Sequence, residues 1–350
     1  MTSRATPPLI LLIAAGAVLF AAPAHAEFAG CAVTPTSSVV VNVNDKGAKG
    51  DGRTNDTPAI QKAIDEVAGT GGTVYVPDGT YMVRATGKRR LRLRSNMTLK
   101  LSNGAVLSAI PSGSASYSVL KIAKAEDVTV VGGTLQGDRA RHENQTGEWG
   151  MGIYIGPDAK RVTIAGVTAK DMWGDGFYVG GASDVAFCSV TATHNRRQGL
   201  SIVEANKILV TDSVFQETRG TRPSAGIDIE PDRPEQRVVN VRIQNSRFIN
   251  NAGGGIMIAG KRGYVANVEI ILNVFKEARP ILVENAPAVR STSICDNRHI
   301  GQQAPPASEG LNPYADAVEV VSLQDDCRSG RDLRFEVKRQ SKKKKPQAAN

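Results

Sequence analysis

Apolar and polar positions alternate along the chain in short runs, and one pattern of runs recurs at a fixed interval. Its clearest copies begin at Val162, Val185 and Ile208, each 23 residues after the last. Each copy opens with a strand-like alternation, passes through a polar turn and resumes with a second alternating run. Alternation with a period of two predicts β-strands, and a repeat of about 20 to 30 residues predicts a solenoid of stacked coils. We therefore expect an all-β solenoid in which equivalent positions of successive coils lie above one another.

The same pattern continues on both sides of this central stretch. An earlier coil is predicted from Val128, and later coils are predicted from Val241, Val268 and Val289. Residues 301–337 follow the pattern less regularly, although they contain two further strand-like runs. We predict that they form a cover over the C-terminal end of the solenoid.

The N-terminal part of the pattern predicts a helix in front of the coils. Asp56-Thr57-Pro58 offers an N-cap oxygen followed by a proline in the first turn, which is a typical helix start. An apolar helical face follows, and Gly71-Gly72 ends the helix before a strand at Thr73–Val76. A helix here would cover the open end of the stacked sheets, which otherwise exposes unpaired backbone groups. The apolar face consists of Ile60, Ala63, Ile64 and Val67.

The first residues look like a processing signal rather than part of the fold. Arg4 is followed by the apolar run 7–22 and by the small-x-small sequence Ala24-His25-Ala26, a pattern typical of a secretory signal peptide over residues 1–26. The apolar run is short for a membrane span. We expect a secreted or periplasmic protein without a transmembrane segment in its mature form, with lipoprotein processing at Cys31 as the alternative.

Charge and cysteine content refine this picture. The chain has 43 Lys and Arg against 34 Asp and Glu, a net charge of +9, but a basic tail over residues 338–350 carries much of the excess. We predict that this tail is disordered, and the low aromatic content argues against a nucleic-acid partner. Export permits disulfides, and we prefer the pair Cys295 with Cys327, with Cys188 packed within a strand. The predicted solenoid with its N-terminal cap spans residues 27–300.

The N-terminal stretch also resembles a known signature. About forty residues look like the start of the pectate-lyase-like superfamily, which includes rhamnogalacturonases, polygalacturonases, mannuronan C5-epimerases and phage tailspikes. The resemblance implies a right-handed parallel β-helix that usually acts on polysaccharides. Asp51 and Asp56 are interpreted as turn and cap residues rather than catalysts. The matching segments are Gly50-Asp51-Gly52, Asn55-Asp56-Thr57, Ala59-Ile60-Gln61, Ala63-Ile64 and 71–77.

Aligning the coils predicts which side chains share one edge of the solenoid. The ninth place after each coil start holds Asp171, His194, Glu217 and Asn250, so these side chains should form a column with a spacing of about 4.8 Å. Further acids, a tyrosine and arginines lie at neighbouring turn and strand positions, and two insertions fall at the same turn, as is typical of a binding face. The candidate catalytic residues are His194, Asp171, Glu217, Asp175, Asp228 and Tyr178. The candidate substrate-binding residues are Arg196, Arg197, Arg219, Arg222, Glu230, His142, Glu148 and Trp173.

Each of these residues also has a purely structural interpretation. Polar ladders at solenoid turns often stabilise the turn, Arg219 and Arg222 could solvate a loop, and Trp149 and Trp173 could anchor loops instead of stacking on sugars. Asp228 and Glu230 are stronger candidates, because packing does not require acids on that strand face.

Two chemistries suit such an edge. β-Elimination or C5 epimerisation of a uronic acid needs a base, an acid and a group that neutralises the carboxylate, and His194 or Tyr178 with the arginines would supply them. Glycoside hydrolysis by inversion needs two separated carboxyl groups, such as Asp171 with Glu217 or Asp175 with Asp228. We place the lyase or epimerase first, the hydrolase second and a non-catalytic glycan-binding scaffold third.

The sequence departs from each activity that the resemblance offers. Gly174-Asp175-Gly176 resembles part of a polygalacturonase motif, but Arg197-Gln198 and Ala225 replace that family's further catalytic residues. The motifs of classical pectate lyases and the Asp-Pro-His motif of the epimerases are missing. No cofactor is implied, although calcium at Asp228, Glu230 and Asp232 is one hypothesis.

Overall fold

The structure, a computed structural model, describes residues 30–33, 36–260, 262–284 and 289–300, together with a strand at 317–319. It contains the helix α1 (Thr57–Val67) and short 3-10 turns at Val43–Lys46, Gly87–Arg89 and Arg139–Arg141. The first strands are β1 (Val40–Asn42), β2 (Asp51–Asn55), β3 (Thr73–Val76), β4 (Gly79–Val83), β5 (Leu91–Arg92), β6 (Met97–Leu101), β7 (Ala105–Ala109), β8 (Ser116–Ile122), β9 (Glu126–Val131), β10 (Thr134–Gln136), β11 (Trp149–Ile155), β12 (Ala159–Ala165) and β13 (Thr168–Lys170). The later strands are β14 (Asp175–Cys188), β15 (Thr191–Thr193), β16 (Gln198–Thr211), β17 (Val214–Gln216), β18 (Ala225–Ile229), β19 (Arg237–Gln244), β20 (Arg247–Ile249), β21 (Gly254–Ala259), β22 (Tyr264–Ile271), β23 (Val274–Lys276), β24 (Ile281–Glu284), β25 (Val289–Cys295), β26 (Arg298–His299) and β27 (Ala317–Glu319).

These strands wind into a parallel β-solenoid of about 9 turns, which confirms the predicted architecture. A 17-stranded sheet forms two faces of the solenoid, and a 10-stranded sheet of short strands, including β13, β15 and β17, forms the third. The strand pairs are parallel except that β27 pairs antiparallel with β24. Outward-facing side chains of successive coils therefore line up in rows on each of the three faces.

The register confirms the predicted coil starts. Val128 pairs with Val162, Val162 with Val185, and Val185 with Ile208, and the same column continues through Val241 and Val268. In the next coil the prediction is wrong by three residues, because Thr292 rather than Val289 pairs with Val268. Val289 instead pairs with Val265, so the apolar pattern alone did not fix the register of this coil.

Consecutive repeats are continuous in the middle of the solenoid. The second strand of one repeat and the first strand of the next form the single 14-residue strands β14 and β16. These strands turn the corner between two faces at a shift in register around Gly180, where Gly180 pairs with Glu204. A bulge of this kind bends a strand without ending it.

The helix α1 covers the N-terminal end, as predicted. Its face of Ile60, Ala63, Ile64 and Val67 is fully buried against the first coil. The cap prediction is wrong in one respect, because the Asp56 carboxylate does not cap the helix. It accepts hydrogen bonds from the Lys49 and Gly50 amides at 2.7 and 3.1 Å and so holds the preceding loop. Asp51 is a turn residue, since its carboxylate accepts from Arg53 and Thr54.

The interior is a continuous apolar core that runs along the solenoid. Stacked side chains of one type fill equivalent positions, such as Phe215, Phe248 and Phe275, whose neighbouring rings lie 5.4 and 4.8 Å apart. Such ladders arise because parallel strands in register place equivalent residues directly above one another. The core therefore fixes the register, and the register fixes which outward side chains meet.

One disulfide differs from the expectation for Cys188. Its sulfur is bonded to Cys31, 157 residues earlier in the chain, which ties the N-terminal segment to the second face. Cys295 is also disulfide-bonded, whereas Cys327, its predicted partner, lies outside the described residues. The predicted signal peptide 1–26, the second strand-like run of the cover and the basic tail 338–350 also lie outside them. No helix in the described part of the chain is long and apolar enough to span a membrane.

Candidate active site

One column of outward side chains follows the first face of the large sheet. Its members are paired strand by strand, while the apolar residues on either side of them point into the core. The column begins with cations, continues with stacked tyrosines and reaches polar and acidic residues in the middle coils. In order it contains Arg92, Lys121, Tyr154, Tyr178, Ser201, Asp228, Met257 and Leu282.

A buried ion pair lies beside the middle of this column. Arg197 Nη1 donates to Asp175 Oδ2 at 3.1 Å, and the Ser201 hydroxyl donates to the same oxygen at 2.9 Å. Asp175 begins strand β14, whereas Arg197 immediately precedes β16, so adjacent coils supply the two partners. Burial raises the pKa of Asp175 to about 6, although Arg197 and Ser201 act in the opposite direction. A carboxyl of this pKa can exchange a proton near neutral pH.

Asp228 supplies a second buried carboxyl in the next coil, directly opposite Ser201. Gln198 Nε2 donates to its Oδ2 at 2.7 Å, and Gln198 Oε1 in turn accepts from the Ala225 amide at 2.8 Å. The other oxygen, Oδ1, is buried and has no hydrogen-bond partner among the described residues. Burial raises the pKa of Asp228 well above its usual range, and the Glu230 carboxyl adds to this effect.

Two further acids complete the centre. Glu148, at the end of the 139–149 insertion, lies 3.9 Å from Arg197 Nε, and Glu230 follows strand β18. Burial raises the pKa of Glu230, and the nearby Asp232 adds to the effect. We call Asp175, Arg197, Asp228, Glu230 and Glu148 the carboxyl centre. Burial lowers the pKa of Arg197, but the surrounding acids outweigh burial and raise it.

Aromatic rings border the carboxyl centre on its N-terminal side. Tyr178 stacks on Tyr154 at 5.3 Å, and Trp149 meets Tyr178 edge-on at 6.4 Å. The Arg197 guanidinium lies 4.9 Å from the Trp149 ring centre. Burial raises the pKa of the Tyr178 hydroxyl, and Asp232 adds to the effect, so Tyr178 is poorly suited to act as a base.

Asp171, His194 and Glu217 do form the predicted column. It lies at the turns that follow the third face and is separate from the outer column of the first face. These residues and Asn250 all have a left-handed backbone with φ of 55° and come directly after the short strands of the third face. Each is followed by a residue that hydrogen-bonds between coils; for example, the buried Asn195 side chain accepts from the Met172 amide. The sequence favours this turn because Asp and Asn tolerate the left-handed region better than most residues.

Two side chains of this turn column, Glu217 and Asn250, bind each other, and His194 contacts its chain neighbour. His194 Nδ1 contacts its neighbour Thr193 at 2.7 Å and its ring is exposed, while Glu217 accepts from Arg219 at 2.5 Å and from Asn250 at 2.8 Å. The acids that raise the pKa of Arg197 are those of the carboxyl centre, and none of them belongs to the turn column. The structure therefore divides the candidate residues into a turn column and a carboxyl centre.

Several candidate binding residues anchor the insertion. Trp173 is only 3% exposed, with Arg196 stacked at 3.8 Å and His142 at 4.0 Å. His142 Nδ1 also contacts the buried Asp138 at 3.0 Å. Trp173 and His142 thus have no free face for a sugar. Arg219 and Arg222 lie exposed in the later loop, near the turn column.

Sequence reasoning missed the cations at the start of the outer column. Arg90, Arg92 and Lys121 lie there, and the alternation Leu91-Arg92-Leu93-Arg94 was the available signal, since it places arginines on the outer face of a strand. The described residues contain no group of three or more His, Cys, Asp or Glu side chains placed to hold a metal ion. The calcium hypothesis at Asp228, Glu230 and Asp232 therefore has no donor cluster to support it.

Comparison with known protein families agrees with the fold described above. Residues 40–100 match the family described as rhamnogalacturonase A/epimerase, pectate lyase-like, and residues 132–275 match the right handed beta helix region. These matches, together with the stacked coils, identify a right-handed β-helix protein of a carbohydrate-active family. The chain belongs to the pectate lyase-like superfamily of right-handed β-helix proteins.

Individual relatives differ in what their names describe. The uncharacterized protein YclG of Bacillus subtilis is 28% identical over 73% of this chain and 52% of its own length. Mannuronan C5-epimerase AlgE6 of Azotobacter vinelandii is 38% identical, but over 39% of this chain and 17% of the epimerase. An exo-poly-alpha-D-galacturonosidase of Dickeya chrysanthemi is 25% identical over 71% of this chain and 48% of the relative. The chain thus spans about half or less of the length of these relatives.

Solved structures support the fold. The tailspike protein gp49 of the Acinetobacter baumannii bacteriophage Fri1, a capsular polysaccharide depolymerase, superposes with a TM-score of 0.56 at 16% identity. The match covers 74% of this chain and 50% of the tailspike. At this identity the likeness establishes the β-helix and nothing about the reaction.

Proposed function

We propose that the protein is an exported enzyme that cleaves an acidic polysaccharide by general acid–base chemistry at the carboxyl centre. The observation that carries the proposal is the pair Asp175 and Asp228. Both are buried beside the outer column, yet one is ion-paired with Arg197 while the other keeps an oxygen without a partner. Two carboxyls whose surroundings separate their protonation behaviour are the usual basis for assigning an acid and a base.

Asp228 would be the general acid. Burial raises the pKa of its carboxyl and so favours the protonated form, and Gln198 holds one oxygen while the other has no partner among the described residues. In the cleavage step Asp228 donates its proton to the glycosidic oxygen as the bond from that oxygen to the anomeric carbon breaks. The leaving sugar departs with a hydroxyl group, and Asp228 is left as a carboxylate.

Asp175 would be the general base. Arg197 and Ser201 hold its carboxylate in place, and its pKa of about 6 suits proton acceptance near neutral pH. It would take a proton from a water molecule while the water oxygen bonds to the anomeric carbon. This arrangement corresponds to inverting hydrolysis, in which one carboxyl serves each partner of the displacement. The protons balance when Asp175 later returns its proton to solvent and Asp228 regains one.

Elimination or C5 epimerisation of a uronic acid is the second candidate. The 38% identity to a mannuronan C5-epimerase over 148 residues favours it. The carboxyl centre supports elimination or epimerisation less well. Several neighbouring acids already compensate the charge of Arg197, so Arg197 would stabilise a substrate carboxylate only weakly. The proposed bases of that reaction are also poorly placed, since Tyr178 has a raised pKa and His194 lies in the turn column.

The experiment separates these reactions by their products. The mature protein and its Asp228→Asn variant are incubated with polygalacturonate, alginate and acidic bacterial exopolysaccharides. Hydrolysis gives new reducing ends without ultraviolet absorbance, elimination gives an unsaturated product that absorbs, and epimerisation changes only the NMR spectrum of the sugar. We expect reducing ends alone, and their loss in Asp228→Asn.

The matched control is Asp127→Asn, an acid on another face that pairs with Arg161. Asn tolerates the left-handed backbone of Asp127, so this variant should fold and keep its activity. Unsaturated or epimerised product would replace the hydrolase by the second candidate. Binding without any product would favour a glycan-binding scaffold.

Export is part of the proposal. The segment 1–26 has the features of a signal peptide, and the Cys31–Cys188 disulfide suits an oxidising compartment such as the periplasm or the extracellular space. Fractionation of cells that produce the tagged protein tests this, since a full-length protein in the cytosol would contradict it.

A further inference from the structure

A cluster of cations without acidic partners lies at the N-terminal end of the outer column. Arg92 and Lys121 are adjacent in the column, and Arg90 donates to the Gly87 carbonyl at 2.8 Å and to the Ser118 hydroxyl at 3.1 Å. None of the three forms an ion pair within the described residues. Burial lowers the pKa of Lys121, and the charges of Arg90 and Arg92 add to the effect. Such mutual repulsion is relieved when an anion binds.

Two of these cations, Arg90 and Arg92, also line a cleft beside helix α1, and Lys121 lies next to Arg92 in the column. The cleft has a volume of about 530 Å³, and most of its charged lining is positive. The acid in the lining, Asp65, already accepts from Arg94 at 2.8 Å and from Gln61 at 3.0 Å. The cleft therefore presents cations that have no acidic partner in the described part of the chain, which are Lys62, Arg84, Lys88, Arg89, Arg90 and Arg92.

The opposite charge dominates the middle of the column, at the carboxyl centre. Around Arg197 lie Asp175, Asp228, Glu148 and Glu230, so acids outnumber the cation. Lys121 and Asp228 are separated by the strands that carry Tyr154, Tyr178 and Ser201, a distance of about 19 Å at about 4.8 Å per strand. The stacked tyrosines occupy two of the three intervening positions and separate the basic end of the column from the carboxyl centre.

The charges along the column indicate which sugars of a bound substrate can carry a carboxylate. A carboxylate on the reacting sugar would enter a site that already has too many acids and would meet like charge. A carboxylate at the basic end would find guanidinium groups, which bind carboxylates with two parallel hydrogen bonds. The column as a whole thus favours a chain that is neutral at the reacting sugar and anionic several sugars away.

We propose that Arg90, Arg92 and Lys121 form a distal anion subsite for a sugar carboxylate of a heteropolysaccharide whose reacting sugar is uncharged. The proposal rests on the proposed function for the position of the reacting sugar, but the subsite can be measured by binding alone. It distinguishes the substrate from homopolymers of uronic acid, in which every sugar carries a carboxylate.

Binding is tested by calorimetry at low salt on the full mature Asp228→Asn protein, in which turnover does not interfere. The probes are an oligogalacturonate, a xylo-oligosaccharide that bears one glucuronate, and the same xylo-oligosaccharide after reduction of its carboxyl to an alcohol. We expect the glucuronate-bearing probe to bind at least about tenfold more tightly than its reduced form and to lose this advantage at high salt.

The variants Arg92→Gln and Lys121→Gln, each added to that protein, should abolish the preference for the charged probe. Arg298→Gln, at the other end of the solenoid and exposed, is the matched control and should preserve it. A melting curve shows that each variant is folded, and two separate substitutions guard against failure of one. Failure of both charged probes to bind, or a preference that survives both substitutions, would overturn the subsite.

Cleavage rates test separately whether the reacting sugar is uncharged. The parent enzyme should cleave the glucuronate-bearing xylo-oligosaccharide or an acidic exopolysaccharide faster than the oligogalacturonate. Faster cleavage of the oligogalacturonate would refute the uncharged reacting sugar while leaving the subsite intact. Absence of cleavage with retained, salt-sensitive binding would count against the proposed reaction but in favour of the anion subsite.

Discussion

Arg197 donates to the Asp175 carboxylate at 3.1 Å, and the two residues come from adjacent coils of the solenoid. The bond joins the only cation of the carboxyl centre, as defined above, to the carboxyl assigned as the base. It keeps a buried carboxyl ionisable where burial alone would hold it protonated. The protonation of Asp175 thus depends on a partner that the neighbouring coil supplies.

Removal of this partner should change the pH dependence of activity. In Arg197→Gln the guanidinium no longer favours the Asp175 carboxylate, so the pKa of Asp175 should rise above about 6. The acidic limb of the rate profile should then move to higher pH, because the base must be deprotonated. Initial rates across the pH range measure this, with Arg298→Gln as a control whose profile should match the parent. An unmoved acidic limb in a folded variant would exclude Asp175 as the base.

Substitution of the proposed acid should reduce activity and increase stability. Asp228→Asn should slow cleavage by about 10²- to 10⁴-fold, the usual contribution of general acid catalysis. The folded-state pKa of Asp228 is raised, so its stabilising contribution is present at low pH and is lost as the pH rises. Asn cannot ionise, and the variant should therefore resist denaturant better than the parent at alkaline pH. Equal stability of the two proteins at high pH would contradict the assigned protonation.

Glu277 offers a similar test away from the carboxyl centre. It is buried at a turn and accepts from the Asn251 side chain at 2.6 Å, and burial raises its pKa from 4.5 to about 8. Its contribution to stability is complete below about pH 4.5 and is lost as the pH rises through about 8. Glu277→Gln should gain roughly 4 kcal/mol over the parent at alkaline pH, because each pKa unit corresponds to about 1.4 kcal/mol, and nothing in acid.

Chemical denaturation at pH 4 and pH 9 measures this gain. Glu143→Gln, an exposed acid of the insertion, is the control and should show no difference between the two conditions. A gain for Glu277→Gln of the same size in acid would point to packing rather than ionisation.

Substitution of one exposed turn residue should stabilise the protein. Leu272 has a left-handed backbone with φ of 56° and is 53% exposed, whereas the equivalent turn of the preceding coil has Asn245 with φ of 48°. Branched side chains are strained in this region, which costs about 1–2 kcal/mol, and Asn adopts it more easily. Leu272→Asn should therefore stabilise the protein by about 1 kcal/mol, seen as a higher melting temperature.

Val40→Asn serves as its control. Val40 is also exposed but lies in a strand, where Asn has no conformational advantage. If Val40→Asn stabilised the protein equally, the gain would come from removing an exposed apolar group and not from the backbone.

Much of the fold followed from the periodic sequence, because each coil obeys the same local rule. The coil starts from Val128 to Val268 aligned as predicted, and the apolar face of α1 covered the open end. The last register failed at Val289, because Thr292 could occupy a coil start that the apolar pattern did not mark. The Cys31–Cys188 bond was also beyond the sequence, since no local pattern relates residues 157 positions apart.

The candidate site was predictable as a set of residues but not as a centre. Alignment of the repeats identified Asp175, Arg197 and Asp228 together with the turn residues Asp171 and His194. It could not separate the two groups, because position within a repeat does not state whether a side chain points along a turn or across a strand. The imidazole of His194 suits a base by its chemistry, but its backbone conformation and its contact with Thr193 place it in the turn column.

The sequence by itself determined the coil, its period, its apolar interior and the chemical types along its edge, since these depend on neighbours a few residues away. Tertiary structure alone decided that Asp175 and Asp228 meet around Arg197 and that Trp173 is closed to solvent. It also decided that Arg92 and Lys121 have no acidic partner among the residues that the structure describes. The physical reason is that burial and charge pairing depend on side chains from different coils. These meet only when the strands are stacked in register.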